Sequence, residues 1–167
     1  EGLYLNGNRD LTNEALVHCR EVPKLKLLHL RSCCSITDLS PLEGCLKLEK
    51  LDVSFCEGFT DDSCKVFSEE PNSFPNLQFL TLPYSANFTE KVLEHLSKNN
   101  HLVYQLKELT ANGIPEILSS SESARKGICQ LKGLRRLTGF LSGIKSESGR
   151  KKLESELMRN LKNLEEI

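Results

Sequence analysis

The residues with the chemistry to act are seven cysteines and four histidines. Two of the cysteines stand together in "LKLLHLRSCCSITD", residues 25–38, a few residues after a histidine. A thiol beside an imidazole is a minimal nucleophile pair, because the imidazole can take the thiol proton. Cys34 and His29 are the candidates for it. No oxyanion-stabilising motif or glycine-rich catalytic turn accompanies them, so no enzymatic activity is expected. His18-Cys19, His29 and Cys45 raise a second chemistry, zinc ligation. Zinc sites draw four ligands from compact, closely spaced sets, and these spacings form none. Neither a metal nor any other cofactor is expected. Gly113-Ile114-Pro115 reads as a loop or helix start and not as a phosphate-binding loop.

An odd number of cysteines, without paired CxxC clusters, favours reduced thiols and an intracellular setting, cytoplasmic or nuclear. The glycosylation sequon Asn87-Phe88-Thr89 points the other way, and such tripeptides are common by chance. No apolar run has the length of a bilayer span, and no signal-peptide pattern opens the chain. The 167 residues suffice for one domain with a real core, and the net charge of −1 dictates no partner. The charge is uneven, however. Residues 1–124 hold 11 Lys/Arg against 18 Asp/Glu, and residues 125–167 hold 11 against 5. Arg150, Lys151 and Lys152 could meet an acidic partner, or be a solvated helix face. No aromatic interleaving supports nucleic-acid readout.

The elements around the cysteines repeat. Leu25-x-x-Leu28-x-Leu30-x-x-Cys33-x-x-Ile36-Thr37-Asp38 returns as Leu48-x-x-Leu51-x-Val53-x-x-Cys56-x-x-Phe59-Thr60-Asp61. It returns again as Leu77-x-x-Leu80-x-Leu82-x-x-Ser85-x-x-Phe88-Thr89-Glu90. The first residues fit as Leu3-x-Leu5-x-x-Asn8-x-x-Leu11-Thr12-Asn13. The fourth-position leucines Leu3, Leu28, Leu51 and Leu80 step by 25, 23 and 29 residues. Leu109 and Leu137 continue the phase more loosely, with Gly139 in place of the sixth-position leucine, and Leu164-x-x-Ile167 would open one more strand. This is the leucine-rich repeat pattern LxxLxLxx(N/C)xx(I/L). Its alternating core predicts a short strand with leucines inward. At the ninth position a small polar group must satisfy buried turn backbone. Asn8, Cys33, Cys56 and Ser85 hold that slot, so Cys33 and Cys56 are expected to be packed, buried thiols. The Thr-Asp, Thr-Asn and Thr-Glu pairs that follow read as a cap with acids at a helix start. Pro41 suits a first helical turn. Residues 146–163 read as an amphipathic helix, with Leu153, Leu157, Leu161 and Leu164 on one face.

Cysteine at the ninth position, Thr-Asp at the helix start and a second cysteine before the next strand together resemble the cysteine-containing leucine-rich repeats. Residues 25–45 and 48–64 quote that motif almost whole. The Thr37-Asp38-Leu39-Ser40-Pro41-Leu42 turn is also similar to shorter repeats of internalin-like and protist proteins. The resemblance implies a right-handed α/β solenoid of about six repeats, parallel strands on its concave face and helices on its convex face. Residues 1–97 would be regular repeats. Residues 98–167 would be degenerate repeats ending in the amphipathic helix, all part of a longer protein. Members commonly serve as target-recognition modules of ubiquitin ligases, often F-box proteins. The alternative is a structural scaffold, or a signalling or cytoskeletal regulator, with no link to ubiquitin. Either way the expected partner is another protein on the concave face, not a small-molecule substrate, nucleic acid or bilayer.

Strand positions that are not leucine define that face. Its central column is Tyr4, His29, Asp52, Thr81, Thr110 and Thr138. The column beside it is Leu27, Lys50, Phe79, Glu108 and Arg136. Arg31, Ser54, Phe55, Pro83 and Tyr84 lie on the turn side. Tyr4, Leu27, Phe55, Phe79 and Tyr84 would be exposed apolar contacts of the sort protein interfaces use.

Overall fold

The computed structural model describes residues 1–85, 87–111, 118, 120–139, 144 and 146–167; the Gly113–Pro115 stretch lies outside them. Six short strands form one parallel sheet among the described residues: β1 (Gly2–Tyr4), β2 (Leu27–His29), β3 (Lys50–Asp52), β4 (Phe79–Leu82), β5 (Glu108–Ala111) and β6 (Arg136–Thr138). The strands lie side by side in chain order. Parallel neighbours cannot be joined by a tight hairpin, so each pair needs a crossover. Helices and 3-10 turns supply it, giving an α/β architecture.

The pairing puts Leu3, Leu28, Leu51, Leu80, Leu109 and Leu137 in one row. All but Leu3 are buried, and Leu3 packs against the same core. Residues on either side of each leucine are only half-buried in β2 and β3, as alternation across a pleated strand requires. The carbonyl of the residue just before each strand serves as a double acceptor. Lys26 O takes the amides of Glu49 and Lys50 at 2.8 and 2.9 Å, and Arg135 O takes those of Glu165 and Glu166 at 2.7 and 3.1 Å. That last pair continues the ladder past β6 as a single parallel bridge, Arg136 to Glu166.

The connecting helices are α1 (Asn13–Leu16), α2 (Val66–Glu69), α3 (Glu90–Lys98), α4 (Leu102–Gln105), α5 (Glu122–Gln130) and α6 (Glu147–Asn160). They contribute Leu16, Phe67, Leu93, Leu96, Leu102, Ile128, Leu153 and Leu157 to the same hydrophobic cluster as the strand leucines. The connection after β2 is only a 3-10 turn, Ser40–Leu42, with Pro41 in its first turn. Leu161 and Leu164 are buried as the spacing predicts, but lie beyond the end of α6. No helix among the described residues is long and apolar enough to cross a membrane.

At the turns after β2, β3 and β4, Cys33 Sγ donates to Leu5 O at 3.1 Å, Cys56 Sγ to Leu30 O at 3.2 Å, and Ser85 Oγ to Phe59 O at 2.7 Å. Each group thus ties its own turn to the preceding unit. Asn8 departs from this expectation. It is exposed, and its Oδ1 accepts the Asp10 amide at 3.2 Å within its own loop. The residue before the slot takes a left-handed backbone at Gly7 (φ 74°), Ser32 (60°) and Phe55 (61°).

All seven thiols are free. Burial raises the pKa of Cys33 and pushes that of Cys56 up to about 12. The thiolate is the reactive form. In the native protein a bulky maleimide is therefore expected to modify the half-exposed Cys34 well before Cys33 or Cys56. Equal rates for Cys33 and Cys34, read by peptide mass mapping, would contradict the buried turn ladder.

The Thr-Asp positions do something the capping interpretation misses. Only Thr60 and Thr89 cap in the expected way, accepting helix amides with their side chains. Asn13 Oδ1 accepts the Thr37 amide at 3.0 Å, and Asp61 accepts the Thr89 amide and hydroxyl at 2.8 and 2.6 Å. The residue after the threonine is thus a rung to the next unit. Asp38 folds back onto Ser40 instead.

Candidate functional site

The sheet face opposite the leucine row is built in columns by the strand register. Tyr4, His29, Asp52, Thr81, Thr110 and Thr138 are aligned across all six strands, and Leu27, Lys50, Phe79, Glu108 and Arg136 form the adjacent column, extended by Glu166. Because every strand is hydrogen-bonded to its neighbours, these side chains stand on a backbone that is already ordered.

Along the central column the side chains contact one another. The Tyr4 ring stacks on the His29 imidazole at 4.9 Å between centroids, 24° from parallel. His29 Nδ1 lies 3.7 Å from Asp52 Oδ2, and Asp52 Oδ1 accepts the Ser54 amide at 2.9 Å. Further along, the Thr110 and Thr138 hydroxyls are 2.6 Å apart. In the adjacent column Arg136 is held between Glu108 and Glu166, each at 2.6 Å. The Glu166 hydrogen bond and the Glu108 charge raise its pKa. Phe79, Lys107, Glu108, Arg135 and Glu165 border an open depression of about 520 Å³ beside it.

On the turn side the Arg31 guanidinium sits 4.5 Å from the Phe55 ring centroid. Tyr4, Phe55 and Tyr84 are strongly exposed, at 62%, 57% and 68% of their surface. Leu27 and Phe79 differ from the expectation of full exposure: both are half-buried, flanked by neighbouring strands. Pro83 is buried, so the turn side presents Tyr84 alone at that strand. Thr81 is half-buried at the centre of the face.

A bulky residue at positive φ is a strained choice, costing roughly 1–2 kcal/mol where glycine costs nothing. Gly7 fills the equivalent turn position in the first unit without that cost. Phe55 carries the strain and in return exposes an aromatic ring at the edge of the face. Ser32 adopts the same left-handed backbone one unit earlier, so the strain belongs to the recurring turn, and Phe55 adds an exposed ring to it.

The residues weighed for chemistry are spatially committed elsewhere. His29 is engaged by Tyr4 and Asp52, and Cys34 Sγ lies 3.7 Å from Ser32 O. His18 faces Glu21, and Cys19 and Cys45 are buried in the core. Among the described residues no group of three or more His, Cys, Asp and Glu is disposed to hold a metal ion. One pairing that no linear spacing suggests is Ser68 Oγ with His95 Nδ1, 2.6 Å apart. The Ser68 hydroxyl also reaches Lys65 O at 3.0 Å. A hydroxyl has one proton; given to Lys65 O, it leaves Ser68 Oγ to accept from His95, the reverse of nucleophile activation. Burial lowers the His95 pKa and favours the neutral ring that this arrangement uses. Asp61, buried nearby, is occupied by Thr89.

No protein-family model matches the chain. The surface itself is therefore the guide to function. Lys151, at the other end of the molecule's charge asymmetry, is paired with Glu147 on α6, and Lys152 is exposed beside it.

Proposed function

We propose that the chain is a leucine-rich repeat solenoid of about six units that recognises another protein on a concave strand face. It performs no reaction of its own. Its place is in the target-recognition region of an intracellular ubiquitin-ligase receptor, as the resemblance of the cysteine-bearing repeats implies. The observation that carries the recognition reading is the trio Tyr4, Phe55 and Tyr84, exposed at the margin of a hydrogen-bonded sheet face. Large aromatic side chains on ordered backbone are effective anchors, because little conformational freedom is left to lose on binding.

Affinity capture with the full-length protein, followed by quantitative mass spectrometry, tests it. Tyr84→Ala is expected to weaken capture of the principal partner by roughly 1–3 kcal/mol, with unchanged circular dichroism. Phe55→Gly is a sharper variant. It relieves roughly 1 kcal/mol of left-handed strain and gives up a cation–π contact of roughly 0.5–1 kcal/mol, so stability stays near wild type while capture falls. Lys151→Ala with Lys152→Ala is the control on α6. If the lysine pair abolishes capture and the aromatic changes leave it intact, the recognition surface is the basic helix and not the strand face. Ubiquitylation of the captured partner that depends on Tyr84 supports the ligase role; capture without it leaves the scaffold alternative in place.

A further inference from the structure

Charge on the strand face is not evenly spent. Its carboxylates are engaged: Asp52 by the Ser54 amide and His29, Glu108 and Glu166 by Arg136. Over β5 and β6 the set Glu108, Arg136 and Glu166 closes on itself and leaves a net negative charge. Over β2 and β3 the balance is reversed. Arg31 and Lys50 have no carboxylate partner among the described residues, and Asp52 is the acid between them. Lys50 stands in register between Leu27 and Phe79. The Arg31 guanidinium carbon sits over the Phe55 ring, 4.5 Å from its centroid. A ring contact uses none of the guanidinium's N–H donors, so they stay available to grip a carboxylate with two parallel bonds. It also fixes a long side chain before any partner arrives, which lowers the ordering cost of binding.

From this we infer that the surface over β2 and β3 takes an acidic peptide segment, its Asp or Glu carboxylates meeting Arg31 and Lys50 and its apolar side chains meeting Phe55 and Tyr84. The inference rests on the strand face being the recognition surface and adds the chemistry of its partner. Residues 1–124 are acidic overall, with 18 Asp/Glu against 11 Lys/Arg, and repel acidic chains at long range. Beyond about 8 Å that repulsion is screened at physiological salt, so the two unpaired cations govern contact on this patch. The mismatch sharpens selection: an acidic segment gains here only when its charges reach Arg31 and Lys50 themselves.

The test is selection of a random 16-residue peptide library displayed on phage against the immobilised 167-residue chain, at physiological salt. Enriched peptides are expected to combine Asp or Glu with an aliphatic or aromatic residue. Synthetic copies should lose roughly two- to fivefold in affinity on Arg31→Gln and on Lys50→Gln, the range of an exposed ion pair. The loss should shrink in high salt, and the Arg31→Glu, Lys50→Glu chain should instead enrich basic peptides. Neither substitution touches the core, and near-wild-type unfolding midpoints verify that both chains are folded. Peptides that are basic or uncharged, yet weakened by Tyr84→Ala, overturn the acidic inference and leave the recognition face standing. Peptides indifferent to Tyr84→Ala and Phe55→Gly, or no enrichment at all, overturn both.

Discussion

Gly133→Ala should destabilise the protein by roughly 3–5 kcal/mol, the upper end of what a single added methyl does to a packed site. Gly133 precedes β6 in the turn that follows α5. Its amide donates to Val103 O at 3.1 Å, which clamps it to α4. A Cβ on Gly133 would stand 2.2 Å from Tyr104 O, 2.6 Å from Tyr104 C and 3.0 Å from Leu106 O. All three are backbone atoms, so no rotamer change relieves the overlap. Either α4 moves off the turn, losing the burial of Leu102, or β6 shifts and the Arg136 pairing with Glu108 is lost. Gly149→Ala is the control: its nearest neighbours lie at 3.5–3.7 Å, ordinary contact distance, in the first turn of α6. There alanine is neutral or gains a few tenths of a kcal/mol from helix propensity. Urea unfolding of both variants decides the matter. A Gly133→Ala chain within 1 kcal/mol of wild type would mean that α4 does not press on this turn.

Gly133 also shows where sequence stops informing structure. The strand row was legible because leucine recurs at a fixed phase and inward positions of a strand tolerate little else. The thiol slots at Cys33 and Cys56 followed from the same phase, since a turn repeated in register needs a repeated hydrogen-bond donor. Nothing local marks Gly133, because its requirement comes from a helix that a separate stretch of chain brings against it. The residues after threonine illustrate a different difficulty. Asn13 and Asp61 are of the type that favours a helix start, and that type serves equally well as a rung to the next unit. Only the stacking of units distinguishes the two uses. On the face, the columns were legible from period-two alternation. Degree of exposure was not: Leu27 and Phe79 are shielded by flanking strands, and Phe55 gains its exposure from a left-handed turn that its residue type argues against. The Arg31–Phe55 stack depends on that same turn, and the Arg136 clamp on a bridge formed by the last residues of the chain.

Asn99→Leu is expected to cost roughly 3–5 kcal/mol although it adds apolar surface to the interior. Asn99 is fully buried at the junction of α3 and α4. Its Nδ2 donates to both Ser73 O and Ser73 Oγ at 3.2 Å, and its Oδ1 accepts the amides of His101 and Leu102, each at 3.0 Å. One carboxamide thus meets four partners: the loop before β4 on one side and the first amides of α4 on the other. Leucine has nearly the same size and none of the bonds. Two amides at a helix start and one carbonyl would lose their partner together, at roughly 1–3 kcal/mol for each that stays dry. Their sum is an upper bound, since loosening lets water reach some of them. Asn99→Asp separates the two halves of the role. It keeps an acceptor for His101 and Leu102 but sets a carboxylate against Ser73 O, so it should fall between wild type and leucine at neutral pH and recover toward wild type as acid protonates it. In the leucine chain, hydrogen exchange should accelerate at His101 and Leu102 ahead of the β3 and β4 amides, because the damage is confined to the α3–α4 junction. Uniform acceleration across the sheet would mean that this junction unfolds only with the whole, and a loss under 1 kcal/mol would remove Asn99 from the load it is assigned.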